Sequence, residues 1–208
     1  MSALLTAPNE PVALFVFGHG AGAGMTHGFM EQVSKRLAAR GIGTFRYQFP
    51  YMEAGRRRPD RTAVLEGTVR AAVERAGELA DGLPLFAGGK SMGGRMSSLA
   101  ASQTELPDVR GLVFFGFPLH APGRPSIDRA DHLADVTVPK LFLQGTRDRL
   151  AELPLIEQVT SGLQQATLSV IDGADHSFHM LKRSGRTEEE VLDELCTTAA
   201  DWMIHFND

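Results

Sequence analysis

Leu83-Pro84-Leu85-Phe86-Ala87-Gly88-Gly89-Lys90-Ser91-Met92-Gly93-Gly94-Arg95 is the stretch whose reading decides the fold. An apolar, strand-like run breaks on glycines around one serine and continues as a helix of small residues, the context in which G-x-S-x-G (Gly89, Ser91, Gly93) reads as a nucleophile elbow. A serine on so sharp a strand-to-helix turn is held in a strained backbone conformation with its hydroxyl projecting outward, so its flanks must be nearly free of side chains. Ser91 is therefore the candidate nucleophile. The ordinary alternative, a Gly-rich surface turn, does not explain the strand before it or the helix after it.

A serine hydroxyl is a weak nucleophile at neutral pH; it needs a base, and the base needs a carboxylate to fix its tautomer. Both lie downstream at predicted strand ends, where α/β sheets place functional groups. Pro139–Leu143 leads into Gln144-Gly145-Thr146-Arg147-Asp148, and Ala166–Ile171 leads into Asp172-Gly173-Ala174-Asp175-His176-Ser177-Phe178. The candidate set is Ser91, Asp148, His176. Asp172 and Asp175 are rival acids, though Asp175 adjoins His176 and is poorly placed to face its ring; His179, His120 and His19 are rival bases. A metal site built on Asp175, His176 and His179 lacks a recognisable further ligand set, and no His-Glu-x-x-His segment is present, so neither metal nor cofactor is expected.

An oxyanion formed at the carbonyl needs two backbone N–H donors. One is assigned to Met92, at the start of the helix after Ser91, where unpaired N–H groups and the helix dipole favour an anion. The other is assigned to Ala21, in the turn Gly18-His19-Gly20-Ala21-Gly22-Ala23-Gly24 that follows the first apolar strand. That turn also matches the dinucleotide pattern G-x-G-x-x-A, with Arg46 after the next strand where a 2′-phosphate could bind, so a dinucleotide-binding oxidoreductase is the main rival enzyme class. It leaves Ser91, Asp148 and His176 without a role. Gly89-Lys90-Ser91 ends like a phosphate-binding loop, but position 84, where that motif requires glycine, is Pro84.

On Gly89–Gly93, Gly145–Asp148 and Gly173–Phe178 the chain resembles the α/β-hydrolase superfamily. His19–Met25, Phe49-Pro50-Tyr51 and Gly55–Asp60 are similar to the small lidless bacterial hydrolases related to dienelactone hydrolase and to the third subunit of the non-specific-lethal chromatin complex. The resemblance covers about residues 12–206. It implies hydrolysis of a small carboxylic ester or thioester through an acyl-enzyme. The chromatin-complex relative also makes an alternative conceivable, a catalytically idle scaffold that serves as a partner-binding subunit.

Continuous apolar runs predict strands over 12–18, 42–48, 84–90, 111–117, 139–144 and 166–171. Helices are predicted over 26–39, 60–80, 92–103, 151–163 and 187–205, the last opened by Thr187 and three glutamates. Strands alternating with helices imply a three-layer α/β/α sandwich, its mainly parallel sheet of about six strands covered on both faces. The superfamily's leading antiparallel hairpin is expected to be reduced or absent. Between Pro118 and Pro139 there are 20 residues, too few for a cap domain. The expected cleft is open and shallow, lined by Met25, Phe29, Tyr51, Met52, Phe117, Leu119 and Phe178.

The 208 residues, 43% of them apolar, suffice for one α/β-hydrolase domain over 1–208, with no repeat or linker that would split it. A net charge of −4 gives no electrostatic case for nucleic acid. Arg56-Arg57-Arg58 reads as a solvated loop, with anion binding as the minority reading. No run approaches membrane-spanning length and the first residues lack a signal-peptide pattern, so a cytoplasmic location without membrane partners is expected. Cys196 is the single cysteine and reads as a packed small hydrophobe.

Overall fold

A computed structural model describes residues 1–206. The last two residues of the predicted domain span, 207 and 208, lie outside the described residues.

The predicted strands are present as β2 (Ala13–Gly18), β3 (Ile42–Tyr47), β4 (Leu85–Lys90), β5 (Val109–Phe115), β6 (Lys140–Gly145) and β7 (Ala166–Ile171). A seventh, β1 (Ala3–Thr6), corrects the expected count of six. It pairs antiparallel with β3, so the leading antiparallel element is reduced to one short edge strand. The order is β1-β3-β2-β4-β5-β6-β7, parallel from β3 through to β7.

Side-chain alternation along each strand sorts the core into two layers. Leu14, Val16, Phe45, Tyr47, Ala87, Leu112, Phe114 and Phe142 face α2 (Pro50–Glu53), α3 (Thr62–Ala80), α4 (Met92–Gln103) and α5 (Leu153–Ser161). Ala13, Phe15, Phe17, Phe86, Val113, Phe115, Leu141 and Leu143 face α1 (Gly28–Ala38) and α6 (Glu188–His205). In the second layer Phe15, Phe17 and Phe115 form a contiguous ring cluster, with centroids 5.0 to 6.3 Å apart. Each such buried ring is worth about 1.5–3 kcal/mol. α6 opens on a capping box: Thr187 Oγ1 accepts from Glu190 N at 3.2 Å, and the Glu190 carboxylate accepts from Thr187 N at 2.7 Å.

The chain leaves β2 for β3 on one side and returns to β4 on the other, so a crevice opens at the carboxyl ends of β2 and β4. The β5–β6 connection holds only a 3₁₀ segment, Asp128–Asp135, and no cap domain. Among the described residues no helix is long and apolar enough to cross a membrane.

Candidate active site

Ser91 follows β4 as the N-cap of α4, with φ 50° and ψ −113°, a conformation that L-residues rarely hold. Two glycines make the turn possible. Gly89 has φ 155°, and a Cβ there would lie 2.2 Å from Gly18 O; a Cβ at Gly93 would meet that same oxygen at 2.2 Å. α4 thus starts pressed against the end of β2, and the first N–H groups of that helix, beginning with Met92, have no carbonyl a turn earlier to bond.

The structure brings Ser91, His176 and Asp148 together from the ends of β4, β7 and β6. Ser91 Oγ is 2.9 Å from His176 Nε2, and His176 Nδ1 is 2.7 Å from Asp148 Oδ2. Because Nδ1 faces a carboxylate it carries the ring proton, which leaves Nε2 as acceptor for the serine hydroxyl. The Asp148 side chain is wholly buried, whereas His176 keeps 22% of its side chain accessible at the cavity. Asp148 Oδ1 accepts from Leu150 N at 2.7 Å, and Oδ2 also accepts from the side-chain amide of Gln144.

The rival residues have other partners. Asp172 accepts from Thr146 Oγ1, and Asp175 Oδ1 accepts from the N–H groups of Ser177 and His179. His179 pairs with Glu188, and His120 is buried against Glu152. His19 is a brace. Its Nε2 accepts from Phe49 N at 3.1 Å, so Nδ1 carries the proton and donates to Gly20 O at 2.8 Å; burial holds the ring below the usual histidine range, in the neutral form this requires.

Those bonds orient the turn assigned to the oxyanion. Gly20 O points to His19, and across a planar trans peptide the N–H of Ala21 points the opposite way. Ala21 O is fixed in turn by Tyr51 Oη, which donates at 2.8 Å; burial, with Asp60 adding to it, pushes that phenol up to about 12 and keeps its proton on. A Cβ at Gly20 would lie 3.8 Å from Ser91 Cβ, so the turn runs directly alongside the serine. The dinucleotide reading fails on geometry. α1 begins at Gly28, not within Gly18–Ala23, and Arg46 is buried, donating to Met25 O and Thr6 Oγ1.

Ser91 and His176 open on a cavity of about 580 Å³ whose walls include Ala21, Phe29, Met30, Lys90, Phe178 and Leu192. Of the expected lining, Phe29 and Phe178 are there, stacked with centroids 5.9 Å apart. Tyr51, Phe117 and Leu119 are corrected: all three are fully buried in the core on the α3/α4 face. Met52 packs against that core, and Met25 is tied through its backbone to Gln48 and Arg46 rather than lining the cavity. The cavity leans toward α1 and α6, whose first turns supply wall residues that sequence reading did not select. Arg56 pairs with Asp60, and Arg56, Arg57 and Arg58 stand apart from the cavity. Among the described residues no cluster of His, Cys, Asp and Glu could hold a metal ion. Cys196 is buried, and burial pushes its thiol up to about 12.

Sequence reading also missed Gln144, whose signal was available. A polar residue closing the apolar run Leu141-Phe142-Leu143 must find partners when buried, and Gln144 finds two: Oε1 accepts from Phe117 N at 3.0 Å and Nε2 donates to Asp148.

The fold is shared with solved proteins. Dienelactone hydrolase from Anabaena variabilis is 21% identical with a TM-score of 0.76, covering 98% of this chain and 90% of that one. Est1E from Butyrivibrio proteoclasticus, solved with ferulic acid bound, is 16% identical with a TM-score of 0.72, covering 98% and 95%. A serine hydrolase homologue from Coxiella burnetii is 17% identical with a TM-score of 0.73, covering 98% and 89%. In sequence the chain is 27% identical over 206 residues to a Mycobacterium tuberculosis protein provisionally named a phosphoribosyl transferase. The match takes in 96% of this chain and 42% of that protein, so the chain spans less than half the length of the curated relatives it matches. Residues 11–204 match the family model described as the alpha/beta hydrolase domain, and the chain belongs to that family.

Proposed function

We propose that the protein is a serine hydrolase that cleaves a small carboxylic ester or thioester through an acyl-enzyme. The observation that carries this reading is the unbroken chain Ser91 Oγ, His176 Nε2, His176 Nδ1, Asp148 Oδ2, at 2.9 and 2.7 Å, opening on a cavity.

Ser91 attacks the acyl carbonyl as His176 Nε2 takes its proton; the carbonyl oxygen becomes an oxyanion held by the N–H groups of Met92 and Ala21. Collapse of that adduct expels the alcohol or thiol, which leaves with the proton returned by His176. Water, deprotonated by the same imidazole, then attacks the acyl-serine and releases the acid. Asp148 remains ionised and holds the imidazole in the tautomer the first step requires. The mostly apolar walls favour a small acyl group over a strongly hydrated one. The name of the mycobacterial relative belongs to a protein of which this chain matches 42%, and no step here depends on it.

A fluorophosphonate probe followed by peptide mass mapping tests the reading. A stoichiometric adduct on Ser91 is expected. A folded protein that takes no label would favour the idle scaffold, and partner capture would then replace substrate screening.

A further inference from the structure

The loop that carries His176 is closed mainly by its own residues. Asp175 Oδ1 accepts from Ser177 N at 2.9 Å and His179 N at 3.0 Å, Asp175 O accepts from Phe178 N at 2.9 Å, and Asp175 N donates to His179 O at 3.2 Å. Several ties reach elsewhere, Arg147 N to Ala174 O and His179 to Glu188 among them, and one reaches the strand that leads to Ser91: the carbonyl of His176 accepts from the ammonium of Lys90, the residue immediately before the serine. That ammonium lies 5.2 Å from the ring centroid of Phe178 and 5.8 Å from that of Phe29. Phe178 reaches its place with φ 66°, a conformation costly for a bulky residue unless its surroundings hold it there.

These groups converge on Gly116, at the end of β5. A Cβ there would lie 3.0 Å from Lys90 Nζ, 3.3 Å from His176 O and 3.5 Å from His176 Cε1. The ammonium and the imidazole therefore flank a single point at the carboxyl end of the sheet. A hydrogen bond from a charged donor is roughly twice as strong as a neutral one. Burial pulls Lys90 down to about 8, while Asp148 and Asp175 favour its charged form.

We infer that Lys90 is a positioning residue for His176: it ties the His176 loop to the strand end that carries Ser91, and so sets the distance between serine and imidazole. This rests on the serine-hydrolase reading for its effect on rate, but the tie itself does not. A lysine that only filled space would be replaced with little consequence by methionine, which matches its four-atom apolar stem and lacks the ammonium.

The test is Lys90→Met in the full chain, read by amide hydrogen exchange and by steady-state kinetics on p-nitrophenyl acetate. Exchange at Ser177, Phe178 and His179 should quicken about tenfold while the amides of β4 and β5 keep their protection. The kcat should fall about 30-fold with KM changed less than about threefold, because misplacement of a reacting group costs rate rather than affinity. Lys90→Cys treated with 2-bromoethylamine rebuilds an ammonium at nearly the original length, and Cys196 is shielded by burial, so this derivative should recover most of the kcat. Since Lys90→Cys overpacks nothing, it also serves if Lys90→Met does not fold. Unchanged loop exchange with unchanged kcat, or a rise in KM alone, would overturn the inference. If the wild type hydrolyses nothing, the serine-hydrolase reading fails separately and the exchange measurement still decides whether Lys90 holds the loop.

Discussion

Gln144 donates its side-chain amide to Oδ2 of Asp148, the same oxygen that faces Nδ1 of His176. The amide cannot turn over without losing Phe117 N, which its Oε1 accepts at 3.0 Å, so the backbone after β5 fixes the carboxylate at the end of β6. Gln144→Leu keeps the volume and removes both bonds. It leaves a buried N–H unpaired, which costs about 1–3 kcal/mol, and frees Asp148 to rotate. Urea unfolding should show that loss, and kcat should drop about tenfold. Lost stability with kcat intact would mean that Gln144 serves the fold alone.

Gly93→Ala pits two effects of opposite sign. Alanine within a helix is favoured over glycine by about 0.5–1 kcal/mol. Here the new Cβ would sit 2.2 Å from Gly18 O and 2.9 Å from Gly18 Cα, both backbone atoms that no rotamer change can move. Overpacking of this kind costs about 1–3 kcal/mol or more, so the variant should be less stable than wild type by thermal unfolding and should lose most of its activity.

Tyr51→Phe removes one hydroxyl and keeps the packed ring. Ala21 O then loses the donor at 2.8 Å, and the turn assigned to the oxyanion is left with the bonds that Gly20 O accepts from His19 and from Ala23 N. A stability loss of about 1 kcal/mol is expected, with kcat reduced several-fold and KM nearly unchanged. An unaltered kcat would show that the turn holds its shape without Tyr51.

His132 gives the fold a defined acid sensitivity. Burial, with Arg95 adding to it, pulls its pKa down to about 4 from 6.5. Between those values the unfolded chain binds a proton that the folded chain refuses, so stability falls as pH drops from 6.5 to 4 and is unaffected by this group above 6.5. Urea unfolding of wild type and His132→Gln at pH 7 and pH 4 should show the wild type losing more; equal losses would assign the sensitivity elsewhere.

Much of this was legible in the chain because it is local. The break of an apolar strand on Gly88-Gly89, the serine, and the small residues of α4 sit within one short run, and buried parallel strands read as continuous apolar stretches. β1 was missed because four residues with exposed Leu4 and Leu5 carry no burial pattern; the strand exists only by pairing with β3. Phe117 and Leu119 were misplaced for a related reason. Sequence tells that a residue after β5 is apolar, but which face receives it depends on how the chain turns beyond the strand. His19 and Gln144 are polar residues closing apolar strands, and each was open to the question of what a buried polar group bonds to. The partners lie far along the chain, at Phe49 for one and Asp148 with Phe117 for the other.

The proposed role of Ser91 as nucleophile is tested by turnover of p-nitrophenyl acetate by wild type and Ser91→Ala. Steady hydrolysis by the wild type is expected, with a fall of roughly 10³-fold or more in the variant and folding retained. Equal turnover by the two proteins, or none by a correctly folded wild type, would contradict it.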